Sequence, residues 1–97
     1  MITLNNVKQA AEVVKPYVKR TPQWQSDTLS EQLGTNVYLK LELFQHSGSF
    51  KTRGAFYQML ALSEDDRNKG VVAVSGGNFA RAVAYVSQEL GVDAIVV

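Results

Sequence analysis

The chain offers few groups able to do covalent chemistry. It has no cysteine and a single histidine, His46, which excludes disulfides, thiolate catalysis and cysteine-type zinc sites and leaves no set of partners for a histidine-containing triad or a metal. Among the lysines, Lys51 stands apart, because the turn-rich run Gln45-His46-Ser47-Gly48-Ser49-Phe50 precedes it and a helical pattern beginning Thr52-Arg53-Gly54-Ala55 follows. In the first turn of a helix the positive end of the macrodipole disfavours an ammonium ion and helps expose a neutral, nucleophilic amine. Ser47, Gly48 and Ser49 supply a permissive turn with hydroxyls to order it, a setting that suits a Schiff-base lysine. The plain alternative is a surface lysine. His46 has no catalytic partner in view and reads as a hydrogen-bonding loop residue.

A second loop, Ser75-Gly76-Gly77-Asn78, has no Cβ at its two central positions. It leaves backbone N–H groups uncovered at a helix start, where a carboxylate or phosphate is held. Its alternative reading is a strand-to-helix turn in which Ser75 or Asn78 caps the helix. Taken together, the loops would pair a nucleophilic amine with an anion cradle.

Both loops depend on the elements around them. Val7, Ala10, Ala11, Val14 and Val18 recur at helical spacing, predicting an amphipathic helix from about Asn5 until Pro16 disturbs it. Thr21-Pro22 forces extended chain, and Ser26-Asp27 caps a short helix whose Leu29 and Leu33 share a face and whose stop is Gly34. Val37, Leu39 and Leu41 alternate with polar neighbours as in a strand. Phe56, Met59 and Leu60 mark a helix opening near Lys51, and Ser63-Glu64-Asp65-Asp66 reads as a capped turn that Gly70 ends. Val71-Val72-Ala73-Val74 and Ala94-Ile95-Val96-Val97 have the composition of parallel strands buried on both faces. Between them, Phe79, Val83, Val86 and Leu90 form a helical stripe ended by Gly91. Strand, helix, strand, helix, strand predicts an α/β fold, a parallel sheet with flanking helices. In such a sheet the loops at the carboxyl ends of the strands gather on one edge, which would bring Lys51 and Ser75 to Asn78 together. A β-branched strand with no turn or covering helix after it suggests a fragment of a larger domain.

Composition narrows the field from the other side. The chain has 97 residues, 45% of them apolar and 20% charged, a mixture unlike that of disordered chains. Ten basic and nine acidic residues are interspersed, for a net charge of +1, so no electrostatic footprint for nucleic acid is present. Lys15, Lys19 and Arg20 read as a solvated face. No apolar run approaches the roughly 20 residues of a membrane helix, and Met1 to Asn6 carry no secretory pattern. A cytoplasmic protein without membrane or nucleic-acid partners is expected.

Leu39 to Ala55, LKLELFQHSGSFKTRGA, followed by Ser75 to Tyr85, SGGNFARAVAY, resembles the fold-type II pyridoxal-phosphate enzymes, whose fold is tryptophan synthase β-like. The threonine/serine dehydratases and serine racemases are the branch it is most similar to. The helix leading to Arg20-Thr21-Pro22 and the leucine-bearing helix after it resemble that family's N-terminal segment. Sulfhydrylases and threonine synthases typically carry Asp-Arg after the lysine, whereas Thr52-Arg53-Gly54-Ala55 favours the dehydratase branch.

The resemblance implies pyridoxal 5'-phosphate as cofactor, Lys51 as the Schiff-base lysine and the base that removes the Cα proton, Phe50 beside the pyridine ring, and Asn78 on the ring hydroxyl. It implies that the backbone of Ser75, Gly76, Gly77 and Asn78 holds the carboxylate of an amino-acid substrate, L-threonine or L-serine. It also implies elimination of water to give a 2-oxo acid and ammonia, and a homo-oligomeric parent protein. Racemases resemble this motif with a serine where this chain has Gly76; glycine delivers no proton, which ranks dehydration above racemisation. Phe79 follows Asn78 where many relatives have histidine, and Arg81 stands where a small or amide residue is common. The family's glycine-rich phosphate cup, pyridine-nitrogen partner and cation site would lie beyond Val97. Residues 1–35 are then the N-terminal helices and extended segment, and residues 36–97 the start of the α/β domain, of a two-domain enzyme whose first 97 residues alone would be inactive. A serine racemase-like parent and a truncated, non-catalytic module that pairs its last strand with another chain are the alternatives.

Overall fold

The computed structural model describes residues 1–97. Helix α1, Leu4–Val14, starts in a capping box: the Thr3 hydroxyl accepts from the Asn6 N–H, and the Asn6 side chain accepts from the Thr3 N–H. This satisfies two groups that a helix start otherwise leaves open, and Pro16 follows the end of the helix. Strand β1, Gln23–Gln25, comes next, then helix α2, Asp27–Leu33, capped by Ser26 and closed by Gly34 at φ 65°, as the sequence predicts. Strand β2, Tyr38–Lys40, runs antiparallel to β1 with Trp24 opposite Leu39.

That pairing differs from the expected three-stranded parallel succession, because β2 takes β1 as its partner and the two form a sheet of their own. Pro22 holds the chain extended just before Gln23, and the ladder continues beyond the strands through Leu41 N–H to the Pro22 carbonyl and Ser26 N–H to the Val37 carbonyl, both 2.9 Å. The polar Gln-Trp-Gln run carries too weak an alternation to mark it as a strand.

Two 3-10 turns, Glu42–Phe44 and His46–Gly48, lead into helix α3, Lys51–Ala61. The segment read as a capped turn is a short helix, α4, Glu64–Lys69, with Ser63 at its N-cap. Strand β3, Val71–Ala73, helix α5, Asn78–Leu90, and strand β4, Ala94–Val96, form a βαβ unit with the two strands parallel, Val72 beside Ile95. The turn between α4 and β3 needs Gly70: its φ is +81°, and a Cβ there would lie 2.8 Å from the Asp93 carbonyl oxygen.

The core is the seam between α3 and α5. Ala55, Phe56 and Met59 meet Ala82, Val83 and Val86, with Val14 of α1 closing one end. Phe56 is fully buried, stacked on Tyr17 at 5.1 Å and edge-on to Tyr85 at 6.2 Å, contacts worth about 0.5–1.5 kcal/mol per aromatic pair beyond the area they bury. The β3–β4 ribbon is covered on one side only. Val72, Val74 and Ile95 are 72%, 80% and 64% exposed, so the strands expected to be buried on both faces are not buried by this chain. The radius of gyration is 16.0 Å, against about 12.5 Å for a compact domain of this length. No helix of the structure is long and apolar enough to cross a membrane.

Candidate active site

Lys51 occupies the first position of α3 with its side chain exposed. Its ammonium nitrogen lies 5.2 Å from the centre of the Phe50 ring, and Phe50, 61% exposed, offers an open aromatic face. The first turn of α3 has no side-chain cap at Phe50; three neighbouring side chains hold it instead. Ser49 Oγ accepts from the Lys51 N–H at 3.3 Å. Thr52, wholly buried, donates to the His46 carbonyl and shares a 2.6 Å hydrogen bond with the Ser47 hydroxyl.

Arg53 provides the third anchor, a two-pronged contact with Glu42 in which Nε reaches Oε2 and Nη2 reaches Oε1, both at 2.8 Å. The hydrogen-bonded guanidinium holds the Glu42 carboxyl down at about 2, outweighing the opposing effect of burial, and Thr21 and Gln45 help in the same direction. Glu42 in turn raises Arg53.

The loop before Lys51 is tightly folded. Ser47 at φ 61° and Gly48 at φ 79° both take the left-handed conformation, which costs a non-glycine residue such as Ser47 about 1 kcal/mol; its bond to Thr52 offsets that locally. The Arg81 guanidinium passes 3.6 Å from where a Gly48 Cβ would sit, so the loop threads beneath α5. The His46 imidazole stacks on Tyr85 at 5.1 Å, while the hydrogen bonds of that residue run through its backbone N–H and carbonyl. Burial, and secondarily Glu89, pushes the Tyr85 phenol up.

The second loop joins β3 to α5. The Ser75 hydroxyl accepts from the N–H groups of Gly77 and Ala80, each at 3.3 Å, which is the capping role of the alternative reading. The N–H groups of Gly76, Asn78 and Phe79 keep no partner within the chain, so the cap and a set of free donors coexist. Nothing approaches within 4 Å of a Cβ built on Gly76 or Gly77.

Phe79 links the two loops. Together with Phe50, Lys51, Gly54, Tyr57 and Gln58 it lines an open hollow of about 390 Å³. Lys51 and the N-terminal residues of α5 therefore border one space, because α3 and α5 pack along their lengths. Sequence reasoning picks out Lys51, Phe50 and Ser75 to Asn78 but not Tyr57 as a wall or Glu42 as an anchor. Tyr57 lies one turn beyond Arg53 on a helix whose apolar pattern is diffuse, and Glu42 is isolated in sequence from its partner.

These residues fit a pyridoxal phosphate: an exposed primary amine beside an aromatic face, and uncovered N–H donors with an amide side chain at a helix start. The comparisons define the class. The family model for pyridoxal-phosphate dependent enzymes matches residues 14–97, and the chain belongs to that family. It is 46% identical over its whole length to L-threonine ammonia-lyase from Thermotoga maritima, of which it covers 24%. Among solved structures, serine racemase from Dictyostelium discoideum superposes with a TM-score of 0.89 at 37% identity, over 98% of this chain and 31% of that one. A bacterial threonine deaminase, from T.th., gives 0.83 at 45% identity, over 99% of this chain and 33% of that one. The chain thus spans about a quarter to a third of the length of these relatives, and its α/β architecture is that of fold-type II pyridoxal-phosphate enzymes.

Proposed function

We propose that this chain is the N-terminal part of a two-domain dehydratase that removes water from a 2-amino-3-hydroxy acid, L-threonine or L-serine, and releases a 2-oxo acid and ammonia. The observation that carries the reading is the shared hollow, with the Lys51 amine on one side and the start of α5 on the other. The similarity to a threonine ammonia-lyase and a threonine deaminase supports it. Residues 1–35 form the N-terminal helix-and-strand segment and residues 36–97 begin the α/β domain. The exposed faces of Val72, Val74 and Ile95 support a larger sheet that the remaining polypeptide completes.

Pyridoxal phosphate, when bound, supplies an electron sink that acidifies the Cα–H of the substrate. Lys51 holds the cofactor and then takes the Cα proton on Nζ. Phe50 packs against the ring, and the Asn78 amide hydrogen-bonds its hydroxyl. The free backbone N–H groups in the Ser75-Gly76-Gly77-Asn78 loop bind the substrate carboxylate, reinforced by the helix dipole. Phe50, Tyr57 and Phe79 exclude water around the amine. Gly76 carries no group able to return a proton to the opposite face of Cα, which favours elimination over inversion.

The test is an assay of the full-length protein with L-threonine and L-serine, following the 2-oxo acid and resolving both serine enantiomers. Release of 2-oxo acid with no D-serine is expected; steady D-serine formation would overturn the dehydratase reading. Residues 1–97 alone, lacking the phosphate contacts, are expected to form no 2-oxo acid.

A further inference from the structure

The first turn of a helix is its least secure part, since its N–H groups have no partners in the preceding turn. In α3 that turn also carries two cations, Lys51 and Arg53, at the positive end of the macrodipole, each disfavoured there. The Phe50 N-cap gives no side-chain hydrogen bond. On intrinsic grounds alone the turn bearing Lys51 would fray.

Its order comes from across the chain. Arg53 lies two residues past Lys51, about 200° around the helix, so its contacts act on the side away from the amine. Its guanidinium makes both hydrogen bonds to the Glu42 carboxylate and a third, at 3.2 Å, to the Lys19 carbonyl. Glu42 is also bonded by the Thr21 hydroxyl. Gln45 spans the same region, accepting from the Lys19 N–H at 3.0 Å and donating to the Lys19 carbonyl at 2.8 Å. Lys40 adds a 2.7 Å bond to the Thr21 carbonyl. The segment after α1, the turn after β2 and the start of α3 therefore converge on one carboxylate, whose side chain is only 14% exposed. A planar guanidinium held at two points fixes orientation as well as distance, which a single point charge does not.

We propose that Glu42 and Arg53 are positioning residues for Lys51: their two-pronged contact sets the rotation of the first turn of α3 and so aims the amine into the hollow bordered by Phe79. The proposal rests on the reading of Lys51 as the reacting amine. It assigns the segment from Lys19 to Thr21 a part in holding the site together, although no residue of it reaches the hollow.

The experiment uses the full-length protein with pyridoxal phosphate as the probe, in the wild type and in Arg53→Met, Glu42→Gln and Arg53→Lys variants. Amide hydrogen exchange follows peptides covering the start of α3 and, as an internal reference, α5. Borohydride trapping, which reduces the bond between Nζ and the cofactor carbon to a stable amine, is mapped to Lys51 by mass spectrometry. In Arg53→Met and Glu42→Gln, exchange at the start of α3 is expected to rise by roughly tenfold with α5 unchanged. The rate of trapping on Lys51 is expected to fall by on the order of tenfold or more. Arg53→Lys, which keeps the charge and loses the fork, should fall between. Trapping at the wild-type rate in the first two variants, or protection lost equally from α3 and α5, would overturn the positioning role. Absence of trapping on Lys51 in the wild type would instead refute the functional reading, and the proposal with it, and is told apart from failure of the clamp because it appears before any substitution.

Discussion

Neutralising Glu42 tests the link between electrostatics and folding at this site most directly. Its carboxyl is moved from an ordinary 4.5 to about 2, chiefly by the hydrogen bonds of Arg53. With about 1.4 kcal/mol per tenfold change in proton affinity, that displacement corresponds to about 3 kcal/mol of stabilisation when the group is ionised in both states. Because the folded-state value is the lower one, the contribution is complete above about pH 5 and is lost as the pH falls from there through 2. Glu42→Gln removes the charge and the titration together, and leaves the Arg53 guanidinium, 34% exposed, partly dependent on water. Denaturant unfolding of the wild type and the variant at several pH values between 7 and 2.5 measures the difference. A gap of about 3 kcal/mol at pH 7 that narrows steadily below pH 5 is expected. Other carboxylates, including Asp66, which Lys69 and Ser63 hold below its ordinary value, titrate in both proteins and cancel in the comparison. A gap that stays constant from pH 7 to 2.5 would refute the assignment of the shift to the Arg53 pair.

Three further outcomes follow from the geometry. Lys51→Ala should abolish 2-oxo acid release from the full-length protein while leaving unfolding within about 0.5 kcal/mol of wild type, because the side chain is exposed; turnover comparable to wild type would remove Lys51 from the mechanism. Gly76→Ser should fold normally, since nothing lies within 4 Å of the new Cβ, and should yield measurable D-serine from L-serine; a variant with no D-serine would show that a hydroxyl there is insufficient for inversion. Gly70→Ala should destabilise by about 1–3 kcal/mol, combining a left-handed conformation with a 2.8 Å approach to the Asp93 carbonyl. An unchanged midpoint of unfolding would mean that the β3–β4 end of the chain relaxes freely.

The reach of the sequence is clearest around the two loops. Ser47-Gly48-Ser49 before Lys51, and paired glycines before Asn78, are contiguous signals, and α3 and α5 begin at Lys51 and Asn78. The Ser75 loop is open to two readings in sequence, a cap or an anion cradle; the hydroxyl takes the first role and leaves the N–H groups of Gly76, Asn78 and Phe79 for the second. His46 reads as a hydrogen-bonding residue, and its backbone serves in that way, but its ring is used for stacking on Tyr85.

What the sequence determined by itself is therefore local: the helix starts and stops, the turn before Lys51, the uncovered backbone at Gly76 and Gly77, and the family whose motifs these residues carry. Each depends on side chains and backbone within a few residues of one another, where capping, glycine conformation and helical spacing act. The tertiary structure decided which distant segments meet. It paired β2 with β1 instead of the parallel strands, left one face of the β3–β4 ribbon uncovered, and brought Glu42 to Arg53 and Phe79 to Lys51. Backbone edges and charged groups bond to whichever complementary partner packing places beside them, and no periodicity along the chain encodes that choice.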